Sequence, residues 1–169
     1  MSDIEQRIVV YIPRLRRYAH SLIPGRSAAA DDLVQDCLER ALSRSHQWQE
    51  GTDLRAWLFT IMHNIYVNQI RRVSNGPSFE GLPETINKSI ADTSVAKLEL
   101  RDLQMAISML PSDQREILLL VTLEGLQYQQ VANILDIPEG TVMSKLSRTR
   151  QYLRKLMHRD DAPHLRRIK

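Results

Sequence analysis

The apolar residues of this chain recur every three or four positions almost throughout, and no segment alternates strictly between apolar and polar residues. This spacing matches the 3.6-residue turn of an amphipathic helix and not the two-residue repeat of a strand. Three such segments lie within residues 1–72, and the pattern resumes from about 95 to 157. The sequence therefore predicts an all-α fold.

The first three segments differ in the faces that their apolar residues form. Pro13 is expected to break the first helix or to start its main part. The second helix extends over about 28–43, and the third over 53–72, where Thr52 or Asp53 can act as the N-cap. The apolar face of the first helix consists of Ile8, Ile12, Leu15, Ala19 and Leu22, and that of the second consists of Leu33, Val34, Cys37, Leu38, Ala41 and Leu42. The third helix has two apolar faces, one made of Leu54, Leu58, Ile61 and Ile65 and the other of Phe59, Val67 and Ile70. The third helix is therefore expected to be packed on both sides.

The helical pattern stops between residues 73 and 94, where Gly-Pro and Gly-Leu-Pro occur among Ser, Asn, Glu and Thr residues. A structureless run of about 20 residues is uncommon inside a compact domain, so we interpret it as a flexible interdomain linker. We expect two small helical domains, each with its own small core. The divisions are 1–72, the linker 73–94, the second domain 95–160 and a disordered tail 161–169.

The second domain contains the pattern of a helix-turn-helix. Residues 127–135 suit a short helix, and Asp136, Ile137 and Pro138 form the turn. Aspartate is among the few residues that tolerate a left-handed backbone, and proline suits the first position of the next helix. The sequence predicts that the two helices cross closely at this turn.

The second helix of that pair combines an apolar stripe with a basic face. The stripe consists of Val142, Leu146, Thr149, Leu153 and Leu156, and the opposite side presents Ser144, Ser147, Arg148, Gln151 and Lys155, with Lys145 on the flank. A helix that enters the major groove needs this arrangement. Arg148 could contact a guanine with two hydrogen bonds, whereas Arg150, Arg154 and Lys155 suit phosphates. The alternative is a helical hairpin with a solvated basic face.

Charge is unevenly distributed along the chain, although the net charge is only +3. Residues 99–140 carry two basic and seven acidic side chains, and residues 141–169 carry nine basic and two acidic ones. A basic face beside an acidic body suits a polyanion on one side of the molecule. A solvated helix end, favoured by the helix dipole, would show the same charges.

Several function classes find no support in the sequence. No apolar run approaches the roughly 18 residues of a membrane span, and the acidic N-terminus lacks the features of a signal peptide, so we expect a cytoplasmic protein without membrane insertion. The lone Cys37 cannot form an internal disulfide, and no Cys/His spacing resembles a zinc site; we interpret Cys37 as a core residue. No nucleophile–base pair or phosphate loop is evident, so we expect no enzyme, no cofactor and no metal.

Three ordered motifs together resemble the sigma-70 family. DDLVQD at 31–36 with LERA at 38–41 resembles region 2.2, and DLRAWLFTI at 53–61 with HN at 63–64 and RR at 71–72 resembles region 2.4. A third set of short motifs resembles region 4: LP at 110–111, RE at 115–116, EGL at 124–126, VA at 131–132, IP at 137–138 and GTVMS at 140–144. A bare linker replaces region 3, as in the extracytoplasmic-function (ECF) group of sigma factors.

The resemblance implies three binding surfaces. Core RNA polymerase would bind, through the clamp of its largest subunit, to Asp32, Gln35, Asp36 and Glu39. The −10 promoter element would bind to Thr60, Asn64, Asn68, Arg71 and Arg72, with a base held out of the duplex. The −35 element would bind to Thr141, Ser144, Lys145, Ser147, Arg148 and Gln151. We expect Trp57 to be a core residue and His63 a surface residue.

The resulting hypothesis is an ECF-type sigma factor that directs core RNA polymerase to specific promoters and is controlled by an anti-sigma factor. One alternative is a stand-alone helix-turn-helix regulator, which would leave the first domain unexplained. Another is a sigma mimic that sequesters an anti-sigma factor. A mimic should lose the basic recognition face, and this chain keeps it.

Overall fold

The computed structural model describes residues 2–75 and 95–164. These residues form seven α-helices and no strand, so the fold is all-α, as predicted. Residues 76–94, on which most of the linker prediction falls, lie outside the described residues. In the described parts of the chain no helix is long and apolar enough to cross a membrane.

The first domain contains α1 (Asp3–Leu22), α2 (Ser27–Ser43), a short 3-10 turn at Ser45–Gln47 and α3 (Leu54–Asn75). Ser2 caps α1, where its hydroxyl accepts the Glu5 amide and the Glu5 carboxylate accepts the Ser2 amide. The prediction that Pro13 breaks this helix is wrong, because α1 is continuous through it. Pro13 lies on the exposed side, where water can bind the carbonyl that the proline leaves unpaired.

The start of α3 is fixed by Asp53, whose Oδ1 accepts the Ala56 amide at 3.2 Å. Of the two candidate caps, Asp53 is therefore confirmed, while the Thr52 hydroxyl donates to the Gln49 carbonyl. Seven side chains between 54 and 66 are buried on more than one face of α3: Leu54, Leu58, Phe59, Ile61, Met62, Ile65 and Tyr66. The predicted two-sided packing ends before Ile70, which is 37% exposed.

The second domain contains α4 (Val95–Ser108), α5 (Ser112–Thr122), α6 (Tyr128–Leu135) and α7 (Glu139–His164). Arg115 on α5 holds the end of α4: its guanidinium donates to the carbonyls of Ile107, Ser108 and Leu110 at 3.1, 2.7 and 2.8 Å. These acceptors include carbonyls that a helix end leaves without a partner. The α7 helix continues to His164, so it extends beyond residue 160, at which the predicted second domain ends.

The helix-turn-helix is confirmed as α6, a turn and α7. Asp136 adopts the left-handed conformation with φ of 53°, and the Ile137 amide donates to the Ala132 carbonyl at 3.1 Å. Pro138 lies one residue before α7, and its carbonyl accepts the Thr141 and Val142 amides. The predicted stripe is buried at Val142, Leu146 and Thr149 and half-buried at Leu153 and Leu156.

The hydrophobic core does not divide as expected. Buried residues from both domains form one continuous cluster, which runs from Ile8 on α1 to Leu146 on α7. Within the first domain, the rings of Tyr18 and Phe59 pack edge to face at 4.9 Å. Contacts of α1 with α5 and of α3 with α6 join the two halves. The prediction of two separate small cores is therefore wrong.

Candidate DNA- and polymerase-binding surfaces

One side of α2 presents carboxylates to solvent. Its opposite side is buried through Ala30, Leu33, Val34, Cys37 and Ala41, which leaves Asp32, Gln35, Asp36 and Glu39 exposed; we call these four the acidic α2 face. The Gln35 amide donates to Glu39 at 3.1 Å. The neighbouring Asp31 instead contacts Arg16 and His20 of α1, at 3.5 and 3.0 Å, and holds the two helices together.

A second polar surface follows α3 and consists of Thr60, Asn64, Asn68, Arg71 and Arg72, which we call the polar α3 strip. The last four side chains are exposed. Thr60 is half-buried, and its hydroxyl donates to the Ala56 carbonyl at 2.8 Å. Its hydroxyl hydrogen is therefore engaged within the helix, and only its oxygen lone pairs remain for another contact.

The two aromatic residues considered on α3 differ in outcome. Trp57 is half-buried and packs against the core, as expected. His63 was expected on the surface, but its side chain is only 15% exposed, and its Nδ1 lies 2.6 Å from the Glu116 Oε1 of α5. The expectation failed because packing of the second domain covers this face of α3, which the local sequence does not indicate.

The third surface is the outer side of the first turns of α7, made of Thr141, Ser144, Lys145, Ser147, Arg148 and Gln151; we call it the recognition face. Ser144, Ser147, Arg148 and Gln151 are exposed opposite the buried stripe, and Thr141 is half-buried. Further along α7, Arg150, Arg154 and Lys155 are also exposed. Most of the side chains that the sequence predicts for base and phosphate contacts are therefore accessible on α7.

Lys145 differs from the rest of the recognition face because it is engaged within the protein. Its ammonium lies 2.7 Å from Asp113 Oδ2 of α5. The hydrogen bond from Lys145 lowers the pKa of Asp113. DNA would have to compete with this carboxylate for the Lys145 charge.

Sequence reasoning missed a zone of polar contacts between the two domains. Glu116 and Glu124 of the second domain are buried, with 4% and 2% exposure, and they face Arg17, Arg55 and His63 of the first. One signal was present, since Glu116 immediately precedes the apolar run 117–121. A carboxylate at the start of such a run is placed close to a buried face, but its partner cannot be identified from the sequence.

Two protein-family models match the chain, one in each domain. Residues 8–63 match the sigma2 domain of PhyR, and residues 100–153 match region 4 of sigma-70. The chain is 36% identical to the ECF RNA polymerase sigma factor EcfG of Rhodopseudomonas palustris over 163 residues, which span 95% of this chain and 88% of that protein.

Two solved structures are also similar to this chain. The sigma factor RpoE of Bartonella quintana, solved with the anti-sigma factor NepR, shares 34% identity and a TM-score of 0.77, over 94% of this chain and 98% of that one. CnrH, solved with the cytosolic domain of CnrY, shares 24% identity and a TM-score of 0.64, over 92% and 87%. At that identity CnrH supports the fold alone.

Proposed function

This chain belongs to the ECF group of RNA polymerase sigma factors, and we propose that it directs core RNA polymerase to specific promoters through the three surfaces described above. The observation that carries this proposal is the exposed recognition face of α7. It lies opposite a buried stripe and follows the left-handed turn at Asp136. The proposed domains are 1–72 for the polymerase and the −10 element and 95–160 for the −35 element.

The acidic α2 face is the proposed contact with the polymerase clamp. Its carboxylates are exposed together on one side of the helix, and complementary charge orients partners and accelerates their association. The same helix packs against α1 through its buried side, and Asp31 adds contacts with Arg16 and His20 of α1.

The polar α3 strip is the proposed contact with the −10 element. Amides and guanidinium groups can hydrogen-bond both base edges and phosphates. A base taken out of the duplex costs a few kcal/mol of lost stacking, least where the duplex is already open. We therefore propose that α3 captures the base during promoter opening.

The recognition face is the proposed reader of the −35 element. Arg148 can donate two parallel hydrogen bonds to a guanine, while Arg150, Arg154 and Lys155 bind phosphates and supply affinity without sequence information. The protein itself would catalyse no reaction, since the polymerase carries out RNA synthesis. It would act in the cytoplasm, without a metal or cofactor.

We further propose that an anti-sigma factor controls this chain. The support is the RpoE relative, which was solved in complex with the anti-sigma factor NepR.

The proposed function is tested by run-off transcription with purified bacterial core polymerase on the DNA upstream of this protein's own gene. We expect a specific transcript that appears only when the chain is added. Failure of the chain both to bind core polymerase and to yield a transcript would contradict the proposal.

Reversal of one charge on the acidic α2 face tests the polymerase contact. Asp36→Arg is expected to weaken core binding about tenfold, because it replaces attraction by repulsion at the clamp. Asp102→Arg, an exposed residue of α4 with the same charge change, is the matched control. Titration of labelled chain with core polymerase measures both, and equal affinities for the two variants would refute the assignment.

A sigma mimic is the second candidate, because the family model that matches residues 8–63 is the sigma2 domain of PhyR. The anti-anti-sigma factor PhyR of Bartonella quintana, solved in complex with the anti-sigma factor NepR, shares 16% identity and a TM-score of 0.58 over 89% of this chain and 49% of that one, which supports the fold alone. A mimic would bind an anti-sigma factor but yield no transcript, and the exposed arginines of α7 favour the sigma factor. A stand-alone regulator would bind duplex DNA tightly without polymerase.

A further inference from the structure

The recognition face carries one lysine whose charge is paired inside the second domain. Lys145 Nζ donates to Asp113 Oδ2 at 2.7 Å, which is the length of a charge-assisted hydrogen bond. The Lys145 side chain is 35% exposed and that of Asp113 is 55% exposed. Asp113 lies on α5 and Lys145 on α7, so the pair lies wholly within the second domain.

The turn of α7 that follows Lys145 is also held against α5. The Thr149 side chain is fully buried. Its hydroxyl donates to the Lys145 carbonyl at 2.8 Å and lies 3.3 Å from Gln114 Oε1. Because Gln114 directly follows Asp113, both contacts come from the start of α5. The two helices therefore bring Lys145 and Asp113 together before any DNA binds.

Asp113 is held in its ionised form at this position. It lies in the first turn of α5, where the helix dipole favours a negative charge. The hydrogen bond from Lys145, the charge of that lysine and backbone amides of α5 lower the pKa of the Asp113 carboxyl. A DNA phosphate that approaches Lys145 therefore meets a carboxylate beside the ammonium.

The pair reduces the electrostatic contribution that Lys145 makes to DNA binding. Each phosphate that a protein neutralises adds about 0.9 to the slope of log affinity against log salt concentration, because counterions are released from the DNA. A lysine whose charge is balanced by a carboxylate 2.7 Å away supplies little net positive charge to a phosphate. Lys145 is therefore expected to add less affinity than its position on α7 indicates.

We propose that Asp113 limits the sequence-independent affinity of this chain for DNA by withholding Lys145 from the phosphates of the −35 element. This inference rests on the proposed function and deepens it, because it separates Lys145 from the rest of the recognition face. Asp113 acts through Lys145 and is therefore a positioning residue. Since changes of affinity among related complexes arise mainly in the dissociation rate, the pair shortens the stay of the holoenzyme on DNA that lacks a promoter.

Asp113→Asn tests the inference, because asparagine keeps the shape of the side chain and removes its charge. In holoenzyme assembled with core polymerase, the freed Lys145 is expected to steepen the salt slope by about 0.9, on promoter DNA and on unrelated DNA alike. For affinities that converge near 1 M salt, this slope difference corresponds to about eightfold tighter binding at 0.1 M salt. Asp102→Asn, at an exposed position of α4, is the matched control and should leave the slope unchanged.

A double-mutant cycle separates the effect of charge from a loss of structure. Lys145→Gln leaves the Asp113 carboxylate unpaired beside the DNA, so it should weaken binding and flatten the salt slope. The double variant Asp113→Asn/Lys145→Gln has the same net charge as the intact pair, and its slope should return to the wild-type value. Circular dichroism verifies that all variants keep their helix content. If the double variant shows the flatter slope of Lys145→Gln, Lys145 binds a phosphate in the intact protein and the inference is overturned.

The wild-type holoenzyme separates this inference from the proposed function. If it prefers promoter DNA but has the same salt slope as Asp113→Asn, the inference fails while the function stands. If it shows no preference for promoter DNA, the proposed function fails. The slopes of the wild type and the three variants of the cycle on unrelated DNA then still decide whether Asp113 withholds Lys145.

Discussion

Replacement of Arg115 with alanine is expected to lower the free energy of unfolding by about 3–5 kcal/mol, since several carbonyls lose a charged donor together. Three of them lie at the end of α4 and the turn after it, and the fourth is Leu22 on α1. Arg115 is half-buried, and this burial lowers the pKa of its guanidinium. In the alanine variant, the carbonyls that Arg115 contacts would remain withdrawn from water without this donor.

Denaturant unfolding followed by circular dichroism measures this effect. Arg115→Lys should recover only part of the loss, because a lysine is a point charge and cannot replace the planar guanidinium that reaches four carbonyls. Arg14→Ala, at an exposed position, should change the stability by less than about 0.5 kcal/mol. Equal stabilities for Arg115→Ala and Arg14→Ala would show that these hydrogen bonds do not form.

Replacement of Arg148 with alanine is expected to remove roughly 1–3 kcal/mol of discrimination at one base pair of the −35 element. Arg148 is exposed on α7, opposite the buried Val142 and Leu146. Holoenzyme binding to promoters that differ at single −35 positions measures the loss, which should fall on one position.

Arg154→Ala is the matched control, because Arg154 is exposed further along the same helix and is assigned to a phosphate. Arg154→Ala should weaken binding to all promoters alike and reduce the slope of log affinity against log salt concentration by about 0.9. If Arg148→Ala also weakens binding to all promoters alike, Arg148 contacts the DNA backbone and its assignment to a base is wrong.

The helix-turn-helix could be predicted almost residue by residue, because its determinants are local. The stripe from Val142 to Leu156 fixes which side of α7 is buried, and Asp136 meets the backbone requirement of the turn by itself. The N-cap of α3 was predicted only to one of two neighbouring residues, Thr52 or Asp53, and the structure selects Asp53. Where a feature depends on neighbours within one or two turns, the sequence is sufficient.

Pro13 shows where local rules fail within a single helix. A proline inside a helix removes one hydrogen bond and clashes with the preceding turn, so the sequence predicts a break. In the structure α1 continues, because Ile8, Leu15, Tyr18, Ala19 and Leu22 on both sides of the proline are buried in the same core. Tertiary packing on the opposite side outweighs the local penalty.

The interdomain contacts could not be predicted because their partners are far apart in the chain. Arg17 and Glu124 are separated by 107 positions, and His63 and Glu116 by 53. A single exposed arginine such as Arg17 resembles any other surface arginine in sequence. The three binding surfaces remain proposals, but the structure shows that most of their residues are accessible.

The continuous core has a consequence for experiments that divide the chain. A fragment that ends near 75 or begins near 95 would carry, on its surface, apolar side chains that the intact protein shields. Such a fragment is expected to self-associate more readily and to fall to proteases sooner than the whole chain. The affinity measured for such a fragment towards DNA or polymerase would then include non-specific binding through the newly exposed apolar surface. Dissection by truncation would therefore mislead here, whereas point variants of the full-length protein would not.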